Sequence, residues 1–205
     1  MSGFDALSAD KLRAELDPAI IGREIVVLNE TTSTNDSVLE RTADSTPEGL
    51  VVFAETQTAG RGQRSNFWES AAGKGLWFSI LLRPKIDIGD SPRLLRWAMG
   101  VLAKTISKEF SLPTSVKLPN DVIVAGKKVA GVLVEMRAQK NAPHIAIVGI
   151  GVNLNHRPED FPEELRTRAT SLAMALRGQV DRHQFAIALL RNLDRTYGDA
   201  FARKL

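Results

Sequence analysis

Two apolar runs, Leu50-Val-Val-Phe-Ala-Glu55 and Leu76-Trp-Phe-Ser-Ile-Leu-Leu82, are separated by twenty residues rich in Gly, Arg, Gln, Ser and Asn. Runs this short and this apolar read as buried strands. The segment between them far exceeds the roughly 4–6 residues of an ordinary connection, and loops of such length are usually functional or mobile. Any fold this chain adopts must therefore build a sheet around a long glycine-rich loop, which is the first place to look for a site.

The rest of the chain supplies more strands than helices. A helix over Ser8–Leu16, capped by Ser8 and ended by Pro18, precedes a strand over Ile21–Leu28. Residues 29–36 form a polar turn whose hydroxyls and amide can cap a helix over Ser37–Thr42. Ser91-Pro92 opens a long helix in which Leu94, Leu95, Ala98, Val101, Leu102 and Ile106 recur at helical spacing up to Phe110. Strands follow at Ser115–Leu118, Val122–Val124, Lys128–Arg137 and His144–Ile150, with a tight turn at Ala125-Gly126 and a hairpin end at Ala138–Ala142; a meander is their simplest topology. After a Pro- and charge-rich loop over Asn153–Arg168, two helices close the chain. One lies around Leu172–Leu176; the other opens at Asp181, with Gln184 in the reciprocal capping position and Phe185, Leu189, Leu190, Leu193 and Tyr197 on its apolar side. This order predicts an α+β fold, a mixed, largely antiparallel sheet covered by helices on one side. No repeat or linker interrupts it, and residues 1–205 read as a single domain.

Cysteine is absent, which excludes disulfides, thiolate nucleophiles and cysteine-bound metal centres. The start of the chain has no basic segment leading into an apolar run, and no stretch approaches a membrane span, so the expectation is a cytoplasmic protein with no membrane partner. Net charge is only +3, but it is unevenly placed: residues 1–55 carry 4 basic and 11 acidic side chains, residues 56–140 carry 14 and 6. The middle of the chain is where an anion would bind.

Gln57-Thr-Ala-Gly-Arg-Gly-Gln-Arg64 is the strongest local signal. Gly60 and Gly62 let backbone amides approach a ligand, and Arg61 and Arg64 offer forked donors for phosphate or carboxylate oxygens. The segment lacks the P-loop spacing and the dinucleotide fingerprint. Read alone it fits an anion clamp, an RNA-binding arginine loop or a flexible structural loop. Trp68 near its end is either a lid over a base or a hydrophobic anchor. Lys117-Leu-Pro-Asn-Asp121 sets a cation, an amide and a carboxylate at a strand boundary, suited to phosphates and a divalent ion, although taken alone the turn reading is the stronger. In Lys127-Lys-Val-Ala-Gly-Val-Leu-Val-Glu135, Gly131 leaves space against the sheet and one lysine can point inward; alternation does not decide which. Val148-Gly-Ile-Gly-Val-Asn-Leu-Asn155 ends a strand in glycines and asparagines. His144, His156 and His183 are scattered, with His183 expected at the surface, and no spacing suggests zinc or a serine triad.

In order along residues 20–200, Thr32-Ser-Thr-Asn35, Gln57–Arg64, Lys117–Asp121, Lys127–Glu135, Gly149-Ile-Gly-Val-Asn153 and Ala169-Thr-Ser-Leu172 resemble the catalytic domain of the biotin protein ligases. The resemblance implies a class II synthetase-like α+β domain shared with lipoate ligases. It implies Ser33, Thr34, Asn35, Gln57 and Gly131 in the biotin pocket, and Arg61, Gly62, Arg64, Trp68, Lys117, Asn120 and Asn153 around the nucleotide. Lys128 and Arg61 would be the catalytic cations, with Asp121 a weak candidate for Mg2+. Biotin and ATP would be the substrates, and the partner a biotin carboxyl carrier protein or domain of acetyl-CoA carboxylase or a related carboxylase, docked by edge-strand pairing. A homodimer is compatible with the resemblance; nucleic acid is not expected. Gln63, Ser65 and Leu118 depart from the family's commoner arginine, glycine and tryptophan. Neither the N-terminal DNA-binding domain nor the small C-terminal barrel of many relatives is expected. A lipoate-type ligase and a catalytically weak adenylate- or carrier-binding homologue are the alternatives.

Overall fold

The computed structural model describes residues 6–139 and 143–202. Seven strands form one sheet in the order β1-β2-β3-β7-β6-β5-β4, where β1 is Glu24–Thr31, β2 Leu50–Gln57, β3 Gly75–Leu82, β4 Thr114–Lys117, β5 Asp121–Val124, β6 Lys127–Arg137 and β7 Ile145–Asn153. Only β1 and β2 run parallel; every other neighbouring pair is antiparallel, and β4 to β7 form the expected meander. Of the Ala138–Ala142 hairpin end, residues 140–142 lie outside the described residues.

Side-chain alternation divides the sheet into two faces. Phe53, Phe78, Ile80, Val132, Val148 and Ile150 belong to the main core, which α3 (Ser91–Phe110) and α5 (Arg182–Tyr197) complete with Leu94, Leu102, Leu189 and Leu193. Phe53 and Phe78 stack at 4.9 Å between ring centres. The helices are not confined to that face. The crossover between β1 and β2 carries α2 (Thr34–Glu40) on the opposite side, where Val38 packs with Val52, Leu81 and Ile147 in a second, smaller cluster. The expectation of one covered side is corrected by this crossover, which also brings the polar turn of residues 29–36 over the sheet.

Local chemistry explains most boundaries. Ser8 caps α1 (Ala9–Glu15) by accepting the Lys11 N–H at 3.3 Å, and Ser171 caps α4 (Leu172–Leu176) through Met174 N–H at 3.1 Å. Asp181 caps α5 by accepting Gln184 N–H at 3.0 Å, but the Gln184 side chain points to Glu15 at 3.4 Å, so the reciprocal half of the box is not formed. His183 is not at the surface either: it is buried, and its Nε2 accepts the Ser8 N–H at 2.9 Å, which ties α1 to α5. Beside it the buried Arg182 donates to Glu55 at 2.7 Å and to the Gly75 carbonyl at 3.0 Å.

Candidate active site

The helix α2 starts three residues earlier than its sequence suggests, at Thr34, because its cap comes from another strand. Ser33 takes the extended cap conformation without bonding through its side chain. Gln57, at the end of β2, accepts the Thr34 N–H at 2.8 Å through Oε1 and donates through Nε2 to Ser70 Oγ at 2.8 Å. One amide thus links the helix start to the far end of the glycine-rich loop.

That loop is well built. Trp68 N–H donates to Gly60 O at 2.9 Å, Gly62 N–H to Asn66 O at 2.7 Å, and Arg61 and Phe67 form a bridge. Arg64 has a left-handed backbone, φ 58°, and an exposed side chain. Gly60 has no room for a side chain, since an added Cβ would lie 2.3 Å from the Trp68 carbonyl oxygen.

Beneath the loop, Gly131 on β6 pairs with Gly151 on β7, and this bare floor carries the Trp68 indole. A Cβ added at Gly151 would meet the indole at 2.5 Å, and one at Gly131 at 2.9 Å. Gly149 makes room for Asn35 in the same way, with Oδ1 2.4 Å from an added Cβ. Trp68 also meets Trp77 edge-on at 6.1 Å, and its buried Nε1 has no hydrogen-bond partner. The indole therefore lies inside the cleft as part of its wall.

Lys128 is the inward lysine of the pair. Its Nζ sits 4.9 Å from the centre of the Trp68 ring and 2.6 Å from Asp121 Oδ1. Its backbone is strapped on both sides, donating to Arg168 O at 2.8 Å and accepting from Thr170 N–H at 2.9 Å. The Ala169-Thr-Ser segment thus anchors the lysine. Asn153 belongs to the same strap, donating from Nδ2 to Thr170 O at 3.1 Å.

Arg61 projects from the loop to the opposite rim. Both terminal nitrogens donate to Asp36, at 2.6 and 2.8 Å, and one also reaches Glu135 at 3.3 Å. The hydrogen bonds to Asp36 raise the Arg61 pKa above its usual value, and the same bonds hold the Asp36 carboxyl below the usual carboxylate range.

Between these walls, with the Trp68 indole in place, the space left open is small, a cavity of about 30 Å³. Of the expected residues, Ser33, Thr34, Asn35, Gln57, Arg61, Gly62, Trp68, Asn120 and Gly131 line it. Lys128 and Asp121 adjoin it through Trp68 and Gly131. Arg64 and Lys117 are exposed outside that lining, and Asn153 is buried against Thr170.

The sequence pattern of the biotin/lipoate A/B protein ligase family matches residues 27–153, which contain most of this cleft. The chain belongs to that family. It is 36% identical over 193 residues to the bifunctional ligase/repressor BirA of Bacillus subtilis, covering 94% of this chain and 59% of that protein. It is 32% identical to the biotin acetyl-CoA-carboxylase ligase of Mycobacterium tuberculosis, covering 90% of this chain and 72% of that one. In three dimensions it matches the biotin protein ligase from Aquifex aeolicus, solved in complex with biotin and ATP, with a TM-score of 0.70 and 31% identity over 86% of this chain and 72% of the other.

In this ligase-family domain the structure adds residues that sequence reasoning passed over. Ser79, Asp36, Glu135 and Ser70 all bond to expected site residues. Ser79 had a visible signal, as the lone polar residue of Leu76–Leu82. Asp36 and Glu135 had none, since acidic residues in a polar turn and at a strand end are ordinary.

Proposed function

We propose that this chain activates biotin with MgATP and transfers it to a lysine of a biotin carboxyl carrier protein. The observation that carries the reading is the cleft itself: Ser33, Thr34 and Gln57 gather hydroxyl and amide groups at one end, while Lys128 stands beside the glycine floor. A ureido ring requires such converging polar groups, whereas a dithiolane favours an apolar slot. The Mycobacterium tuberculosis and Aquifex aeolicus relatives, both named for biotin ligation, support the same reading.

In the first step a biotin carboxylate oxygen attacks the α-phosphorus of ATP, and pyrophosphate leaves with the electrons of the broken P–O bond. In the second, the ε-amine of the acceptor lysine attacks the carbonyl of the mixed anhydride, and AMP leaves as an amide forms. Lys128 offsets charge on the carboxylate and phosphate oxygens, and Arg61, once exchanged from Asp36, adds a second cation from the loop. Closure of the loop excludes the water that would hydrolyse the anhydride. Among the described residues no three His, Asp or Glu side chains converge as a metal site. Magnesium would arrive with the nucleotide, and Asp121, ion-paired with Lys128, is the carboxylate that would join the phosphate oxygens in holding it; one or two carboxylates plus phosphates are its usual ligands.

The test is incubation of MgATP and an apo carrier domain with biotin or with lipoate in separate reactions, followed by intact-mass analysis. A biotinyl adduct is expected on the carrier lysine. An adduct formed only from lipoate, or none from any acid, sinks the proposal.

A further inference from the structure

Ser79 lies in the middle of an apolar strand, is fully buried, and faces Gly149 across β3 and β7. Its hydroxyl contacts Thr34 Oγ1 at 2.7 Å and Asn35 Oδ1 at 2.5 Å. Proton counting gives this chain a direction. Asn35 Nδ2 donates to Glu135 Oε2 at 2.5 Å, which fixes the amide with Oδ1 toward Ser79. Ser79 must then donate to Asn35, since two lone-pair oxygens at 2.5 Å would repel. A hydroxyl has one proton, so Ser79 can only accept from Thr34. The Thr34 proton is thereby spent on Ser79, and Gln57 Oε1, 3.1 Å from Thr34 Oγ1, is satisfied by the Thr34 backbone N–H at 2.8 Å. Thr34 offers the cleft an acceptor alone. Its neighbour Ser33, also on the cleft wall, keeps a hydroxyl uncommitted to capping, and Asn35 Nδ2 has a second proton.

We infer that Ser79 is a positioning residue: by taking the Thr34 proton it selects a ring that carries an N–H donor beside a carbonyl acceptor. That is the pattern of a cyclic urea. The inference rests on the ligase reading above and explains how this cleft would prefer such a ring to an apolar acid of similar length. Without the Ser79 hydroxyl, Thr34 is free to turn its proton toward Gln57 or the ligand, and the donor–acceptor match is lost.

The test is calorimetric titration of the whole chain with biotin and with octanoate, nucleotide omitted, for the unaltered protein, Ser79→Ala and Ser79→Cys. The thiol keeps the approximate volume and is a weak donor, so the second variant guards against a packing defect in the first. Biotin affinity is expected to fall about tenfold or more in both, the loss of one well-aligned hydrogen bond to the ligand. Octanoate affinity should stay within about twofold, because an alkyl chain makes no such bond. Equal weakening for the two acids overturns the role given to Ser79 while leaving the ligase reading intact. Failure of both variants to fold makes Ser79 a structural residue and overturns it too. An unaltered chain that binds no biotin removes the ligase reading, and the inference with it.

Discussion

Lys128 Nζ stands 4.9 Å from the centre of the Trp68 ring, so the strand lysine and the glycine-rich loop meet across the cleft. A cation over an indole contributes about 0.5–2 kcal/mol. Any ligand seated on Gly131 and Gly151 has to replace Trp68 as the neighbour of that ammonium. The loop therefore acts as a wall of the cleft through Trp68.

Gly151→Ala tests this directly. The added methyl would lie 2.5 Å from the indole, so Trp68 has to leave the floor. Because the displaced group belongs to a surface loop, folding stability should fall only by the usual overpacking cost of about 1–3 kcal/mol. Biotin-dependent pyrophosphate release should fall at least about tenfold, since the floor is narrowed for the ligand as well. Acrylamide quenching of tryptophan emission reports the displacement; quenching equal to that of the unaltered protein means the indole was not expelled.

Lys128→Ala separates chemistry from folding. The ion pair with Asp121 is partly exposed, with side-chain exposures of 31% and 26%, and such pairs contribute only about 0–1 kcal/mol. Thermal melting should therefore barely move while biotin-dependent ATP turnover is abolished. Full turnover in the variant would remove Lys128 from the role assigned to it.

How far the sequence shows this cleft depends on the range of the contacts that make it. The strands and α3 were legible because their patterns are local: Leu76–Leu82 is apolar throughout but for Ser79, and α3 repeats its apolar residues every three or four positions. The start of α2 was not, because its cap is Gln57, 23 residues away. Burial of His183 depends on Ser8, 175 residues away, and no helix-surface rule anticipates it. The glycine-rich loop announced an anion clamp, yet Arg61 is found on Asp36 and Trp68 on the Gly131–Gly151 pair. Both placements are tertiary: Arg61 meets a residue of α2, Trp68 rests where β6 and β7 lie side by side, and alternation within one strand carries no trace of its neighbours.

His156 gives the fold a pH dependence of calculable sign. It is buried against Phe161, at 4.9 Å, and Trp77, at 5.8 Å, and desolvation pushes its pKa down to about 4. The unfolded chain binds the imidazole proton near pH 6.5 and the folded chain does not, so the stabilisation is complete above 6.5 and is lost as pH falls toward 4. Its full size is on the order of 3 kcal/mol. Urea unfolding at pH 7.5, 5.5 and 4.5 should show this slope, and His156→Phe should flatten it. An unchanged slope in the variant assigns the acid sensitivity to other groups.

The buried pair of Glu55 and Arg182 holds three elements at once. Side-chain exposures are 5% and 6%, and Glu55 also accepts the Leu7 N–H at 2.7 Å. Removing Glu55 takes from the buried Arg182 its carboxylate partner and from Leu7 its acceptor, which costs about 3–5 kcal/mol. Glu55→Ala should be destabilised by that amount in urea, with turnover per folded molecule nearly unchanged, because neither residue lines the cleft. A selective loss of turnover without loss of stability would instead tie this pair to the site.

Asp36 and any phosphate compete for the same two nitrogens of Arg61. Asp36 takes the end-on fork of the guanidinium, at 2.6 and 2.8 Å, so an anion can be gripped by that same fork only after this carboxylate is released. Asp36→Asn removes the charge while keeping a side chain of the same shape, and Glu135, at 3.3 Å, is too weakly placed to hold Arg61 alone. The KM for ATP should therefore fall several-fold in this variant with kcat little changed, and the gain should shrink as salt rises because the pair is about one-third exposed. A higher KM would mean the opposite: that Asp36 aims Arg61 at the nucleotide, so that the ion pair persists through binding and the arginine acts without leaving it.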